Sequence, residues 1–278
     1  MNKATPTRRA PGRQRYIGVI APYDFALDRE LWKWTPTRAN LLLTRTAQLG
    51  LPSTVEMAEG VSDANTLASG TRALLTTDPD VVLYLCTSGS FVRGVDGERA
   101  MRETMIAAGA RAAVTTSGAL VEATSALGVR RLAVATPYLD NVTAKLHEFL
   151  HEAGLDVVGG AGLGIDERIW EVDAATVRRL VFDADRPDAD AVFVSCTNLR
   201  TYGLIRRFES ELGKPVLTAN QVSVWAALRA AGLEPPTSKQ WLFAAAREGH
   251  ERLATVSALP AGVGDGVAHA GDSGQRTA

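Results

Sequence analysis

The sequence contains two cysteines, and each stands at the carboxyl end of an apolar run. Cys86 ends the run VVLYLC and precedes Thr87, while Cys196 ends the run AVFVSC and precedes Thr197. A thiol reacts as a thiolate, and a turn that leads into a helix offers backbone N–H groups that stabilise this anion. Two such thiols can serve both faces of a planar carbanion, one removing a proton and one returning it. Alternatively, one thiol attacks an alkene carbon while the other handles a proton.

Each cysteine taken alone is more simply explained as a small buried hydrophobic residue, and it is their matching placement that favours chemistry. The turn after Cys86 contains Thr87, Ser88 and a glycine, so hydroxyls and backbone amides are available together as a cradle for a carboxylate or an enediolate. Tyr138 is either a hydrogen-bond donor to that anion or an aromatic residue that packs at a strand end. Ser117 is predicted to cap a helix at the mouth of the same pocket.

The two cysteines belong to an internal duplication. The segment IGVIAPYD resembles LAVATPYLD, which pairs Pro22 and Tyr23 with Pro137 and Tyr138 at an offset of 115 (137 − 22). The segment VVLYLCT resembles AVFVSCT at an offset of 110 (196 − 86). We therefore predict two lobes related by a pseudo-two-fold axis. Ligands of parallel α/β sheets bind at the carboxyl ends of the strands, so both Pro-Tyr and both Cys-Thr pairs should face one cleft.

Strands that alternate with helices must position these residues. Several runs are apolar almost throughout, as in strands buried on both faces of a parallel sheet. The stretches 140–153, 176–184 and 204–212 carry helical apolar stripes. The pattern predicts an α/β fold in which each lobe is a parallel sheet flanked by helices. The run 40–46 is short enough to be helix instead. The predicted strands are residues 16–21, 40–46, 81–86, 112–116, 132–136, 156–160, 191–196 and 215–218.

The domain organisation follows from the same pattern. Residues 1–15 are basic and contain no acid, so we expect a disordered tail, and residues 254–278 are rich in glycine and alanine, so we expect a flexible one. Between them, residues 16–118 together with 215–235 should form lobe 1. Residues 119–214 should form lobe 2.

The composition argues against several classes of function. Lys and Arg total 30 against 31 Asp and Glu, which lacks the basic excess of a nucleic-acid-binding protein. We see neither an apolar run of the ~20 residues that span a bilayer nor a secretory signal. Two cysteines are too few for a disulfide framework, and His147 and His151 lack a third metal ligand. Glycine motifs for dinucleotides or phosphates are missing. The composition fits a reduced protein whose cysteines are free thiols, so we expect a cytoplasmic location.

The motifs around these residues resemble a known family. CTSGSFVRG at 86–94 is similar to GTSLSFYRG of arylmalonate decarboxylases, and GVRRLAVATPYLDNV at 128–142 and GLGI at 162–165 resemble the same branch. Over most of 16–232 the chain resembles the aspartate/glutamate racemase superfamily, in its maleate isomerase and arylmalonate decarboxylase branch. The resemblance implies a two-lobed fold, a cofactor-free mechanism and a homodimer. It also implies that Thr87, Ser88 and Tyr138 hold the substrate carboxylate or enediolate.

The chain departs from the maleate isomerases at two places. Those enzymes have a motif similar to PSSN after the first strand, where this chain has PYDF at 22–25. A second asparagine of theirs falls near Asp166 or Glu167, and an additional acid would repel a dicarboxylate. The first motif position is cysteine in racemases and maleate isomerases but glycine in arylmalonate decarboxylases, and here it is Cys86.

Three functions follow as hypotheses. The leading one is a cofactor-independent isomerase or racemase, similar to maleate cis-trans isomerase, that acts on a small carboxylic acid at the carbon next to the carboxylate. In it Cys86 is the nucleophile or base on one face, and Cys196 is the acid/base on the other. The alternative is an arylmalonate-type decarboxylase with Cys196 as proton donor, and the third is a non-catalytic carboxylate-binding protein. The predicted substrate-binding residues are Pro22, Tyr23, Thr87, Ser88, Ser117, Tyr138 and Thr197.

Overall fold

A computed structural model of the protein describes residues 14–245, which form two parallel four-stranded sheets. The first sheet has the order β2-β1-β3-β4, and the second has the order β6-β5-β7-β8. The strands are β1 (Arg15–Ala21), β2 (Ala39–Arg45), β3 (Val81–Tyr84), β4 (Ala113–Thr115), β5 (Arg131–Thr136), β6 (Asp156–Gly162), β7 (Ala191–Val194) and β8 (Val216–Thr218).

The two sheets repeat one arrangement, with the first strand of each lobe lying between the second and the third. All neighbouring strands are parallel. The predicted α/β class and the eight predicted strands are therefore confirmed, and the strand ends differ from the prediction by one or two residues. The run 40–46, for which the sequence also allowed a helix, forms strand β2.

Helices cover the sheets and link the strands. Helix α6 begins after Thr115, whose hydroxyl accepts a hydrogen bond from the Gly118 amide, and Gly128 ends it at a φ of +69°. Thr115 rather than Ser117 is thus the helix cap. The helices are α1 (Asp28–Trp32), α2 (Val55–Val61), α3 (Ala64–Leu74), α4 (Thr87–Phe91), α5 (Gly94–Ala107), α6 (Thr116–Leu127), α7 (Asp140–Glu152), α8 (Ala174–Ala184), α9 (Ile205–Leu212) and α10 (Ala219–Ala230), with 3₁₀ turns at Leu75–Thr77 and Ile169–Glu171.

The boundary between the lobes differs from the prediction at the end of the chain. Residues 215–235 were expected to belong to lobe 1 as a block, yet β8 pairs with β7 in the second sheet. Helix α10, which follows β8 directly, packs against β4 of the first sheet and against α6, the helix that links the two sheets. The chain therefore returns to lobe 1 with the helix and not with the strand.

The predicted tails fall largely beyond the structure. Gln14 and Arg15 of the predicted N-terminal tail are described, and Arg15 is the first residue of β1. Residues 1–13 and the predicted tail 254–278 lie outside the described residues. Within the described part, none of the helices is both long enough and apolar enough to cross a membrane.

Buried polar groups join the lobes beside a continuous apolar core. The carboxylate of Glu30 on α1 accepts hydrogen bonds from the backbone amides of Thr201 and Tyr202 and from the side chain of Asn220. These contacts hold α1 of the first lobe against the loop that precedes α9 in the second. The segments that follow β1 and β7 are thereby fixed relative to each other.

Candidate active site

Both cysteines lie two residues beyond the end of a central strand, and they line the same cavity. Cys86 is 4 % exposed and Cys196 is 9 % exposed, so both thiols are buried. The cavity measures about 20 Å³, which is close to the space that one water molecule occupies. In this structure the cavity is therefore too small to hold a substrate molecule. Its walls come from both lobes and consist of Pro22, Asp24, Ser53, Met57, Cys86, Thr87, Ser88, Tyr138, Ile169, Cys196, Thr197 and Asn198.

Cys86 occupies the N-cap position of α4, where backbone amides point toward its sulfur. The Gly89 N–H donates to the Cys86 Sγ at 3.4 Å, and the Ser88 hydroxyl lies 3.7 Å from it. Burial raises the pKa of the Cys86 thiol, while the Gly89 amide and the Ser88 hydroxyl act in the opposite direction. The site therefore keeps the thiol neutral at rest but supplies donors for its anion.

Glycine is required at position 89 because of a buried tyrosine beneath Cys86. A Cβ atom on Gly89 would lie 2.2 Å from the Tyr84 hydroxyl oxygen. That hydroxyl donates to the Val61 carbonyl at 3.1 Å and also interacts with the Cys86 thiol. Gly89, the Tyr84 hydroxyl and the Cys86 sulfur therefore pack directly against one another.

Cys196 has the corresponding place in the second lobe, but its backbone is unusual. Its φ is +86°, a left-handed value that side-chain-bearing residues rarely adopt. The Asn198 N–H donates to its Sγ at 3.4 Å, the same distance as in the first lobe. Burial raises the pKa of Cys196 to about 12. Hydrogen bonds from the Asn198 amide and the Tyr138 hydroxyl act in the opposite direction and lower this pKa. Such backbone conformations cluster at functional sites.

Tyr138 places a hydroxyl group at the cavity beside Cys196. The ring is buried and meets the Phe91 ring edge to face at 6.1 Å, and its oxygen accepts a hydrogen bond from the Ser195 hydroxyl at 3.3 Å. Burial, followed by the neighbouring Cys196, holds the pKa of Tyr138 well above its usual value of 10. The hydroxyl therefore remains a proton-bearing donor at neutral pH.

Asp24 also lines the cavity, although the sequence analysis treated it only as a departure from the family motif. Its Oδ1 atom is buried without a hydrogen-bond partner among the described residues, while Oδ2 lies 3.5 Å from the Asn198 amide nitrogen. Burial raises the pKa of Asp24, and its negative charge in turn raises the pKa of Cys86 and Cys196. Asp24 is therefore electrostatically part of the site.

Asn198 connects the two walls of the cavity. Its side-chain oxygen accepts from the Ala26 N–H at 2.9 Å, and its nitrogen donates to the Asp24 carbonyl at 3.2 Å. Because these partners follow β1 while Asn198 follows β7, a single amide bridges the lobes beside the thiols. Asn198 lies two positions after Cys196, and this proximity in sequence is the signal that could have identified it.

Seven of the predicted site residues line the cavity, and two do not. The Tyr23 hydroxyl donates to the Leu51 carbonyl at 2.6 Å, so it points out of the cavity. The Ser117 hydroxyl lies 2.7 Å from the Ser90 hydroxyl and donates to the Thr87 carbonyl, so it supports α4 from behind. The residues that the structure brings together are Pro22, Cys86, Thr87, Ser88, Tyr138, Cys196 and Thr197.

Other lining residues come from loops whose positions the sequence did not predict. Asp166 and Glu167, the acids expected to face the substrate, do not line the cavity, whereas Ile169 does. The Asp166 carbonyl instead accepts a hydrogen bond from the Ser53 amide at 2.7 Å, which joins the two lobes. Among residues 14–245, no group of three or more His, Cys, Asp or Glu is arranged to hold a metal ion.

Comparison with known proteins defines the class of protein. The family model described as arylmalonate decarboxylase matches residues 48–243, more than half of the chain, and the match includes both cysteines and Tyr138. The chain belongs to this family. The predicted membership of the maleate isomerase and arylmalonate decarboxylase branch is thereby confirmed.

Individual relatives agree with the family assignment. An arylmalonate decarboxylase of Bordetella bronchiseptica is 39 % identical over 166 residues, which are 58 % of this chain and 69 % of the relative. A maleate isomerase of Pseudomonas putida is 28 % identical over 164 residues, 56 % of this chain and 66 % of the relative. A crystal structure of a doubly substituted arylmalonate decarboxylase in its liganded form matches with a TM-score of 0.76 and 31 % identity, covering 83 % of this chain and 99 % of that one.

Proposed function

We propose that the protein is a cofactor-independent enzyme that isomerises or racemises a small carboxylic acid at the carbon next to its carboxylate. The observation that carries the proposal is the placement of two buried thiols, one from each lobe, on a single cavity, each with a backbone N–H 3.4 Å from its sulfur. Such a pair can exchange protons with one carbon from two directions. The family membership supports an enzyme rather than a passive binder of acids.

The proposed reaction begins with the substrate carboxylate held by hydroxyls and amides. Thr87, Ser88, Tyr138 and Thr197 provide these donors at the strand ends. In a racemisation, the thiolate of one cysteine takes the α-proton, the electron pair enters the carboxylate as an enediolate, and the thiol of the other cysteine delivers its proton to the carbon. In a cis-trans isomerisation, the Cys86 thiolate adds to the alkene, and the electron pair moves into the neighbouring carboxylate as an enediolate that takes a proton from Cys196. The resulting single bond rotates, Cys196 takes the proton back, and the electron pair re-forms the alkene as the Cys86 thiolate leaves.

Decarboxylation is the second candidate, and a specific observation favours it. The relative with 39 % identity is an arylmalonate decarboxylase. In this reaction a carboxylate leaves as carbon dioxide and the remaining enediolate takes a proton from Cys196. The pKa of Cys196, raised to about 12 by burial, keeps this thiol protonated and ready to donate at neutral pH. Cys86 would not be needed for this step.

A homodimer in the cytoplasm completes the proposal. The family resemblance supports both, and small carboxylic acids are the substrates that the relatives' names indicate. Light scattering of the purified chain would give the mass of the assembly, and a monomer at micromolar concentration would refute the dimer.

One experiment separates the two reactions. Purified protein is incubated in deuterated water with maleate, arylmalonates and single amino acids, and the α-carbon is followed by NMR and optical rotation. We expect Cys86→Gly to abolish isomerisation and racemisation but to spare any decarboxylation, because only the former need both thiols. Cys196→Ser should abolish every reaction. Isomerisation that survives Cys86→Gly would rule out the two-thiol mechanism.

A further inference from the structure

Asp24 is the only formally charged side chain among the described residues that line the cavity. Pro22, which precedes it at the end of β1, is apolar, and the donors opposite are neutral. The nearest interacting cation, Arg45, is already engaged, since its guanidinium binds Asp28 at 2.7 Å and the Phe25 carbonyl at 3.2 Å. The protein therefore provides no positive group inside the cavity to balance the Asp24 carboxylate.

Two buried polar atoms on this cavity lack hydrogen-bond partners among the residues that the structure describes. These are the Oδ1 atom of Asp24 and the hydroxyl oxygen of Thr87. Leaving a buried carboxylate oxygen or hydroxyl unpaired is costly, and native structures retain such groups mainly where a ligand or a function uses them. A ligand group that carries N–H donors can satisfy the Asp24 oxygen, while the Thr87 hydroxyl donates to the substrate carboxylate.

The balance of charge points in the same direction. A bound acid brings one negative charge, and the reacting thiolate adds a second beside Asp24. A dicarboxylate would add a further negative charge next to the half-buried Asp24 carboxylate, and like charges in partial burial repel each other more than in water. A positively charged nitrogen on the substrate would neutralise Asp24 instead.

We infer that Asp24 is a specificity-determining residue that binds a cationic nitrogen on the substrate. The preferred substrate class is then a carboxylic acid that carries an ammonium group near the reacting carbon, and dicarboxylates are disfavoured. This inference rests on the proposed function for the location of the substrate site. It concerns binding, and it favours racemisation over decarboxylation of a malonate or isomerisation of maleate, because those two reactions act on dicarboxylates.

Matched acids test the inference directly. Alanine, methylmalonate and propionate share one skeleton and differ at the α-carbon by an ammonium, a carboxylate or a hydrogen; phenylglycine, phenylmalonate and phenylacetate form a larger set. Affinities are measured by calorimetry at pH 7.5 with wild-type protein, Asp24→Asn and Asp24→Ala. We expect the ammonium acid of at least one set to bind wild-type protein at least tenfold more tightly than its dicarboxylate. In both variants the affinity for the ammonium acid should fall at least tenfold, while the affinity for the dicarboxylate should rise.

A neighbouring acid supplies the control. Asp166 lies close to the site but does not line the cavity, so Asp166→Asn should leave the order of affinities unchanged. Tighter binding of the dicarboxylate to wild-type protein would overturn the inference. If that affinity also falls in Asp24→Asn, Asp24 is a protonated donor to an anion. The wild-type series decides the question even if a variant fails to fold.

The outcomes separate this inference from the proposed function. Cys86→Ser and Cys196→Ser should retain the preference for the ammonium acids while losing turnover. Turnover with a preference for dicarboxylates would refute the role of Asp24 alone. Selective binding without turnover of any acid would refute the proposed reaction alone.

Discussion

Cys196 combines a reactive side chain with a backbone conformation that a glycine would adopt more easily. A φ of +86° costs a residue with a Cβ atom on the order of 1–3 kcal/mol. The Asn198 amide and the Tyr138 hydroxyl converge on the sulfur in this conformation. The local strain is therefore coupled to the position of the thiol.

Replacing Cys196 by glycine should stabilise the protein while removing its activity. We expect a gain of about 1 kcal/mol in the free energy of unfolding, measured by urea denaturation, because the left-handed conformation is relaxed. Cys196→Ala keeps the Cβ atom and should give no such gain. Equal stability of the two variants would show that the backbone at this position is not strained.

At the scale of single residues, the sequence predicted the reactive pair better than its surroundings. Duplication was enough to place Cys86 and Cys196, because equivalent strand ends face one cleft. The direction of a side chain in the following loop is not periodic, and so Tyr23 and Ser117 were expected at the cavity that Asp24 and Asn198 in fact line. Asp24 was visible in the sequence, but its burial depends on contacts with the other lobe.

At the scale of elements, the apolar runs predicted every strand. They did not predict the sheet to which β8 belongs, because that depends on pairing with a strand distant in the sequence. Strand β8 has three residues, and no local pattern distinguishes pairing with β7 from a place in the first sheet. Helix α9 stabilises this edge through Glu209, whose carboxylate lies 3.5 Å from the Val216 amide and 3.1 Å from that of Trp241.

The burial of Glu209 should make the stability of this edge depend on pH. Burial raises the pKa of Glu209 from 4.5 to about 7, so the folded state holds its proton more tightly than the unfolded state. The associated stability is complete below pH 4.5 and is lost as the pH rises toward 7. Between pH 5.5 and 8.5 we expect a loss of roughly 2 kcal/mol in urea denaturation.

Two substitutions of glutamate by glutamine test the role of Glu209. Glu209→Gln should remove most of this pH dependence and leave the protein more stable than wild type at pH 8.5. Glu211→Gln, which changes an exposed acid whose pKa is lowered by Arg207 and Arg178, should leave the loss between pH 5.5 and 8.5 in place. An unchanged pH dependence in Glu209→Gln would mean that another group is responsible.

At the scale of the whole molecule, a few polar contacts hold the lobes in register around the site. Asn198 binds the Ala26 amide and the Asp24 carbonyl, and Glu30 binds the loop before α9. The sequence predicted two lobes and a cleft from the duplication. It did not predict how tightly the cleft closes, because closure depends on these contacts between residues far apart in the chain.

Removing the Asn198 side chain should loosen the lobes. Asn198→Ala leaves the Ala26 amide without its partner, and we expect a loss of about 1–3 kcal/mol in unfolding free energy. Hydrogen exchange at Ala26 should accelerate more than exchange in the centre of β5. Asn141→Ala, which removes an amide on α7 away from the cavity, is the control. Equal acceleration at both places would indicate general destabilisation instead of lobe opening.

The two thiols line the cavity from different lobes, and this placement has a consequence for the product. In the proposed reaction each sulfur would deliver its proton from its own lobe, and therefore to one face of the carbanion. A single sulfur acting alone would then give one mirror-image form, whereas the pair together would interconvert both. The enantiomeric purity of the product would therefore record how many thiols took part.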